Sequence, residues 1–383
     1  MQWFALLGRE TALSEAELAA QTQGELVFTH NVAFGLGATP AWNRLGGVMR
    51  GGKIVASALK RSTHLAAELV VALGEIDAET SKVSVGLSAP ALPARELMRV
   101  GGKFKRAYAE RYGRKLRLVY PKTDNLLNAG QLLNNRLVDT PNAELIILEG
   151  PDQQLAIGRT TWFQDIESYG LRDRGRPARD ARVGMLPPKL AQILLNLAEI
   201  TPQSHVHDPF CGTGVVLQEA RLMDARVSGS DISDAMVRAT QQNLAWLEAT
   251  YHLPHHEALI RQQDARQLSL PPQTTHIVAE GYLGNPDFAQ TELARMQREA
   301  LELKPLYLDF FRRLQRFDGP LMIVLALPEW HPSGKPVLQL DILDDLSDMG
   351  YTLRQFAPRG LDRLSYHRSH QSVGRSIIKL SKD

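Results

Sequence analysis

Cysteine is nearly absent: the 383 residues contain one, Cys211. A single thiol excludes an internal disulfide and any metal centre built on several cysteines, and it suits a reducing cytoplasm, where the protein is expected to reside. Long apolar runs are missing too. No segment approaches the roughly twenty apolar residues of a membrane span. The opening Met1-Gln2-Trp3-Phe4-Ala5-Leu6-Leu7-Gly8-Arg9-Glu10 lacks the basic start and apolar stretch of a signal peptide, so no membrane association is expected. Neither sign of charge dominates, with 44 Lys and Arg against 42 Asp and Glu, so net charge points to no class of partner. The eleven histidines show no ligand spacing with carboxylates, and no metal is expected. Internal repeats are absent. What remains is an ordinary soluble composition, 44% hydrophobic and 22% charged, long enough for two or three domains.

Charge is balanced overall but unevenly distributed. Between Arg95 and Lys122 ten basic residues face only Glu96 and Glu110, and between Arg172 and Lys189 six face Asp173 and Asp180. Basic residues gathered in the N-terminal half suggest a polyanion-binding surface. Lys103, Lys105, Arg106, Arg114 and Lys115, with Tyr108, Tyr112 and Tyr120 interleaved, suit phosphate contacts with some stacking.

Pattern and punctuation divide the chain into a region 1–163 of α+β type, a linker 164–188 rich in Arg, Gly, Asp and Pro, and an α/β region 189–383. In the first region strands are predicted at Trp3–Leu7, Glu25–Thr29, Asn31–Leu36, Val83–Leu87, Leu116–Val119, Asn142–Glu149 and Gln154–Thr161. Ser14-Glu15-Ala16-Glu17 reads as a capping box opening a helix through Ala20. Helices are also predicted over Thr63–Leu73 and, strongly basic, over Ala94–Arg111. Beyond the linker, Lys189–Glu199 is a helix. Strands follow at His205–Asp208, Arg226–Asp231, Leu259–Asp264, His276–Glu280, Pro320–Leu327, Tyr351–Phe356 and Arg375–Leu380.

The most informative stretch is His205-Val206-His207-Asp208-Pro209-Phe210-Cys211-Gly212-Thr213-Gly214, with Asp231 seventeen residues beyond Gly214. A strand ends in an acid, a glycine turn follows, a helix begins at Val215, and a second strand ends in another acid. This is a βαβ unit built for a nucleoside: glycines let backbone approach the ligand, and Asp231 is placed for ribose hydroxyls. The turn lacks both the P-loop lysine and the third glycine of the dinucleotide fingerprint, so it is no phosphate cradle. Asp208 at its head suits a cationic ligand end, as in S-adenosylmethionine. Pro209, Phe210, Gly212, Thr213, Gly214 and Ile232 complete the expected cofactor pocket. Cys211 reads as a small buried thiol.

Asp208-Pro209-Phe210-x-Gly212-Thr213-Gly214 resembles motif I of the class I methyltransferases, in the version found in amine-methylating enzymes. The seven C-terminal strands match their doubly wound, Rossmann-like sheet. That resemblance implies that Asp264-Ala265 bind the adenine of the donor. It also implies a D/N-P-P-Y/F motif at the end of the fourth strand, where Ile277-Val278-Ala279-Glu280-Gly281-Tyr282-Leu283-Gly284-Asn285-Pro286 stands. A nucleobase amine is a poor nucleophile, so an acid or amide oxygen must accept its N–H while an aromatic ring stacks on the base. Glu280 takes the acid's place and Tyr282 the ring's, with Asn285 a second, out-of-register candidate. Gly281-Tyr282-Leu283 departs from Pro-Pro-aromatic.

Arg174-Gly175-Arg176-Pro177, Arg179 and Met185-Leu186-Pro187-Pro188-Lys189-Leu190-Ala191 resemble the passage preceding the catalytic domain of THUMP-containing RNA methyltransferases. Phe4-Ala5-Leu6-Leu7-Gly8-Arg9 and Tyr366-His367-Arg368-Ser369-His370-Gln371-Ser372-Val373-Gly374-Arg375 are similar to the two ends of the tRNA guanosine N2-methyltransferases acting at position 10. The resemblance implies an N-terminal ferredoxin-like plus THUMP region that grips tRNA, joined by Arg176, Arg179 and Arg368. Near the C terminus the cluster Arg359, Arg363, His367 and Arg368 would rim the entrance. A flipped guanine would be methylated at N2 with S-adenosyl-L-methionine as cofactor. Some relatives act with a small zinc-containing subunit, which the residues neither require nor exclude, and both monomer and homodimer stay open. Two other readings also stay open: DNA or rRNA amine methylation on the same scaffold, and a tRNA-binding protein that has lost turnover.

Overall fold

The structure, a computed structural model, describes residues 1–59, 64–76, 83–179, 186–284, 293–368 and 371–383. These divide into two compact units. The first comprises Met1–Thr11, Thr22–Asn43 and Val48–Ile166, and the second Ala12–Gln21, Arg44–Gly47 and Glu167–Asp383.

Strand β1 (Trp3–Leu7) opens the chain, and helix α1 (Thr11–Ala20) follows. The helix starts three residues before the expected capping box. Ser14 is buried inside it, and Glu17 accepts from the backbone N–H groups of Gly46 and Gly47 instead of capping. The first unit continues with β2 (Leu26–Thr29), β3 (Val32–Gly35), β4 (Val48–Leu59), α2 (Leu65–Leu73), β5 (Val83–Ser88), α3 (Ala94–Tyr112), β6 (Leu116–Val119), α4 (Ala129–Asn134), β7 (Ala143–Glu149) and β8 (Leu155–Phe163). One eight-stranded sheet forms in the order β2-β3-β1-β4-β8-β7-β5-β6; β5 runs parallel to β6 and β7, and the other neighbours are antiparallel. The pleat sends alternate residues to opposite faces. Leu145 and Ile147 join the core with Leu69 of α2 and Phe104 and Tyr108 of α3, while Ile146 and Leu148 join Phe4, Leu6 and Phe34. Tyr108 is therefore core, not a stacking platform. Strand β4 was not expected, because Gly51-Gly52 weaken its pattern. Glycine is needed there because a Cβ at Gly52 would lie 2.2 Å from the Arg159 carbonyl oxygen.

The second unit contains α5 (Ile166–Arg174), α6 (Pro188–Leu197), β9 (His205–Asp208), α7 (Val215–Leu222), β10 (Arg226–Asp231), α8 (Asp234–Tyr251), β11 (Leu259–Gln262), β12 (His276–Glu280), α9 (Leu293–Leu314), β13 (Leu321–Trp330), β14 (Leu338–Gln339), α10 (Leu343–Asp348), β15 (Thr352–Leu353), β16 (Leu364–Tyr366) and β17 (Val373–Lys382). Its sheet runs β11-β10-β9-β12-β13-β17-β15, with β14 beside β13 and β16 beside β17. Strands β9 to β13 are mutually parallel and β17 is antiparallel to β13. Both faces are covered, so β12 and β13 are apolar without alternation. Val278, Val324 and Ala326 face α6 and α7, whereas Ile277, Ala279, Ile323 and Leu325 face Tyr307, Phe310 and Phe311 of α9. Strand order reverses between β9 and β12. Beyond the carboxyl ends of those strands lies the crevice where doubly wound sheets bind ligands.

The stretch 164–188 is not simply an exposed linker. Residues 166–174 form α5, and the buried Arg172 donates through Nε to Glu219 Oε1 at 2.6 Å. Residues 180–185 lie outside the described residues. Removing one partner of a buried ion pair strands the other charge in a low-dielectric interior. Arg172→Met is therefore expected to cost about 3–5 kcal/mol, read as a lowered midpoint in denaturant unfolding. An unchanged midpoint would show the pair to be dispensable. Among the described residues no helix is long and apolar enough to cross a membrane, and no cluster of metal-ligating side chains forms.

Candidate active site

The glycine turn after β9 is held from three sides. Asp208 is buried and its Oδ1 accepts from the Phe210 N–H at 2.9 Å. Asp231, at the end of the neighbouring β10, accepts from Gly212 N–H through Oδ2 and from Ser233 N–H through Oδ1, each at 2.9 Å. From α8, Thr240 Oγ1 donates to the Gly212 carbonyl at 2.8 Å and Asn243 Nδ2 to the Thr213 carbonyl at 2.8 Å. Gly212 and Gly214 have φ of +52° and +80°, a region that favours glycine, and a Cβ at Gly214 would sit 2.9 Å from Thr240 Cγ2. Burial drives the Asp208 carboxyl well above the usual carboxylate range, and the nearby Asp231 and Glu280 push the same way. The shift favours the neutral carboxyl, and a cation placed beside it would favour the ionised form. Cys211 is buried, and burial raises its thiol. Pro209 and Thr213 are buried, and Phe210 packs edge-on against Phe310 at 5.4 Å.

Ile232 follows Asp231 with 65% of its surface exposed, an apolar face beside the turn. Asp264 caps the short helical turn at Ala265, but its carboxylate is held by Arg266, with Nη2 to Oδ2 at 2.6 Å. That guanidinium keeps Asp264 below the usual carboxylate range. The neighbouring Gln263 N–H donates to the Asp231 carbonyl at 2.8 Å, so the two acids lie at adjacent strand ends.

Glu280 ends β12 on the same sheet edge. Its Oε1 accepts from Arg375 Nε at 2.6 Å, and Oε2 has no partner among the described residues. Burial raises the Glu280 carboxyl, opposed by the Arg375 charge and hydrogen bond. The following Gly281 is required by close approach, since a Cβ there would lie 2.3 Å from Tyr307 Oη. That hydroxyl donates to the Tyr282 carbonyl at 2.8 Å. Tyr282 itself is exposed, whereas Leu283 packs against the α9 core. The ring next to Glu280 is thus Tyr282's. Gly281→Ala should cost about 1–3 kcal/mol by overpacking, and Tyr307→Phe in the same chain should recover part of it. Thermal unfolding of the two variants checks this, and no recovery would place the strain elsewhere.

The structure brings Asp208, Asp231, Glu280 and the turn together, and Asp264 stands at the adjacent strand end. Asn285 lies outside the described residues, as do Ser369 and His370. Arg176 is a correction: it is 2% exposed, so its side chain is not offered at the surface to a polyanion. Lys103, Lys105, Arg106, Lys115 and Arg179 are exposed, and Arg114 and Arg368 partly so. Arg363 is half-buried and donates to the Leu340 carbonyl and Ser376, and the exposed Arg359 pairs with Glu15 at 2.6 Å. Arg375, Tyr307, Thr240 and Asn243 were missed. Each lies 25 to 95 residues from its partner in the site, and no local motif carries that signal.

Path order and parallel pairing define the second unit as a doubly wound, Rossmann-like sheet, which follows an N-terminal α+β region in the chain. Residues 176–316 match the family profile described as an RMKL-like methyltransferase domain. The chain is 36% identical over 120 residues to the tRNA (guanine(10)-N2)-dimethyltransferase of Methanothermobacter thermautotrophicus, a match covering 31% of this chain and 34% of that one. It is 33% identical over 108 residues to a probable enzyme of the same name from Methanothermococcus thermolithotrophicus, covering 28% and 64% respectively. The crystal structure of TrmN from Thermus thermophilus has the same fold across 100% of both chains, with a TM-score of 0.55 at 17% identity.

Proposed function

We propose that this protein is an S-adenosylmethionine-dependent RNA methyltransferase acting on the exocyclic N2 amine of a tRNA guanosine, of the position-10 type. The observation that carries this reading is the convergence of Asp208, Asp231 and Glu280 around a glycine turn at the point of strand reversal. The residues fit the donor. Positive-φ glycines open the turn, buried Asp208 suits its cationic amino-acid end, Asp231 its ribose hydroxyls, and Ile232 and Asp264-Ala265 its adenine. The names of the archaeal relatives support the choice of tRNA guanosine.

When bound, the donor supplies an electrophilic methyl group on a sulfonium. The chain's own residues prepare the nucleophile. Glu280 Oε2 accepts an N–H of the target amine, which raises electron density on nitrogen, and Tyr282 stacks on the flipped base. As the N–C bond forms and the C–S bond breaks, the amine's proton passes to the Glu280 carboxylate and then to solvent. In the first unit, which we read as ferredoxin-like plus THUMP, the exposed basic face of α3 with Lys103, Lys105 and Arg106 meets the tRNA backbone.

The test is incubation with labelled donor and unmodified tRNA, followed by nucleoside mass spectrometry. N2-methylated guanosine supports the proposal. Tight tRNA binding without label would identify a non-catalytic binding protein instead.

A further inference from the structure

Arg375 belongs to the last strand, 95 residues after Glu280. It pairs across the ladder with Pro328 of β13 and Tyr366 of β16, and its guanidinium reaches over β13 to the end of β12. Only 4% of its side chain is exposed, while 17% of the Glu280 side chain remains accessible. The carboxylate is therefore half committed. Oε1 takes the Arg375 Nε proton at 2.6 Å, and Oε2 is left without a partner among the described residues at the ligand edge of the sheet.

We infer that Arg375 is a positioning residue that holds Glu280 as an oriented, acceptor-only carboxylate, and that this pair selects guanine over adenine. The inference rests on the methyltransferase reading above. Its chemistry is that of the base edge. Guanine presents N1–H and N2–H side by side, two donors that match the two oxygens of one carboxylate, since Oε1 keeps a lone pair after binding Arg375. Adenine presents its amine beside N1, an acceptor, which would face an oxygen lone pair with no proton between them. A site built for two donors rejects a base that supplies one, because a buried polar group is left unpaired. An amide at position 280 would erode the preference, since its oxygen stays on Arg375 and its NH₂ then faces a guanine N–H, donor against donor.

The groups around Glu280 make the arginine necessary. Asp208 of β9 is a neighbouring acid, Tyr307 of α9 supplies a neutral hydroxyl, and Tyr366 lies 5.9 Å from the guanidinium of Arg375. Burial favours the protonated form of Glu280, and the Arg375 charge and hydrogen bond oppose it. A protonated carboxyl would carry a donor where an acceptor is needed. Ionisation is required for transfer, so activity should fall as pH drops through the Glu280 pKa, and losing the cation should move that limb to higher pH.

The test uses the full chain with tRNA, and compares Arg375→Gln, Arg375→Lys and Glu280→Gln. Methyl transfer to guanosine and adenosine is read by nucleoside mass spectrometry across pH, and donor affinity by calorimetry. In Arg375→Gln the acid limb should rise by about one pH unit or more, with donor affinity within about threefold of native. Arg375→Lys should restore most of the shift. Glu280→Gln should raise the adenine-to-guanine ratio about tenfold or more. An acid limb that stays in place in Arg375→Gln overturns the positioning role. If that variant does not fold, Glu280→Gln decides, and an unchanged base ratio overturns the selection. Failure of the native protein to methylate any nucleoside would instead defeat the underlying methyltransferase reading, so the two failures are distinct.

Discussion

Asp231→Ala is expected to weaken binding of S-adenosylmethionine, and of its demethylated product, by at least about a hundredfold. Each charge-assisted hydrogen bond from a ribose hydroxyl contributes on the order of 1.5–3 kcal/mol, and two are lost together. The carboxylate also organises the turn, accepting from both Gly212 and Ser233 N–H groups. Asp231→Asn keeps one acceptor oxygen and should fall between native and alanine. Asp264 provides the contrast. Its oxygens are already engaged by Arg266, so Asp264→Ala should change donor affinity by no more than about tenfold. Calorimetry on the three variants ranks them. Native affinity in Asp231→Ala would defeat the proposal that this turn holds the donor.

Glu280→Ala should reduce methyl transfer by about 10²–10³-fold while leaving donor affinity in place, the range seen when one preorganised polar group at a reacting centre is removed. It carries a second consequence. Arg375 is almost fully buried and would lose its counter-charge, at a cost to stability of about 3–5 kcal/mol. Glu280→Gln separates the two effects, because the amide still accepts from Arg375 but lacks the negative charge. Rate and unfolding midpoint should fall together in the alanine variant, and the rate should fall more than the midpoint in the glutamine variant. Transfer at the native rate in both would remove Glu280 from the reaction.

The βαβ core was legible because its information is local. Apolar strands ending in Asp208, Asp231 and Glu280, and glycines at 212 and 214, stand in the order in which the chain visits the sheet. Departures arose where contacts are distant. The β4 strand was hidden by Gly51-Gly52, whose necessity appears only when the Arg159 backbone lies beside them. Helix α5 looked like a solvated linker because Arg172 looks exposed until Glu219, 47 residues away, is brought to it. Arg176 misled for the same reason.

The amino-acid sequence by itself determined which strands end in acids, where the backbone must turn through positive φ, and that the chain carries a basic helix over Ala94–Arg111. Periodicity and glycine conformational freedom act over a few residues, so they are written in the chain. Only the tertiary structure decided that Glu280 shares its charge with Arg375, that Tyr307 dictates Gly281, and that Tyr282 is exposed while Leu283 packs into the core. Those facts depend on strand order and on the distance between carboxylate and guanidinium, and electrostatics in a buried site follows spatial separation, which sequence separation does not encode.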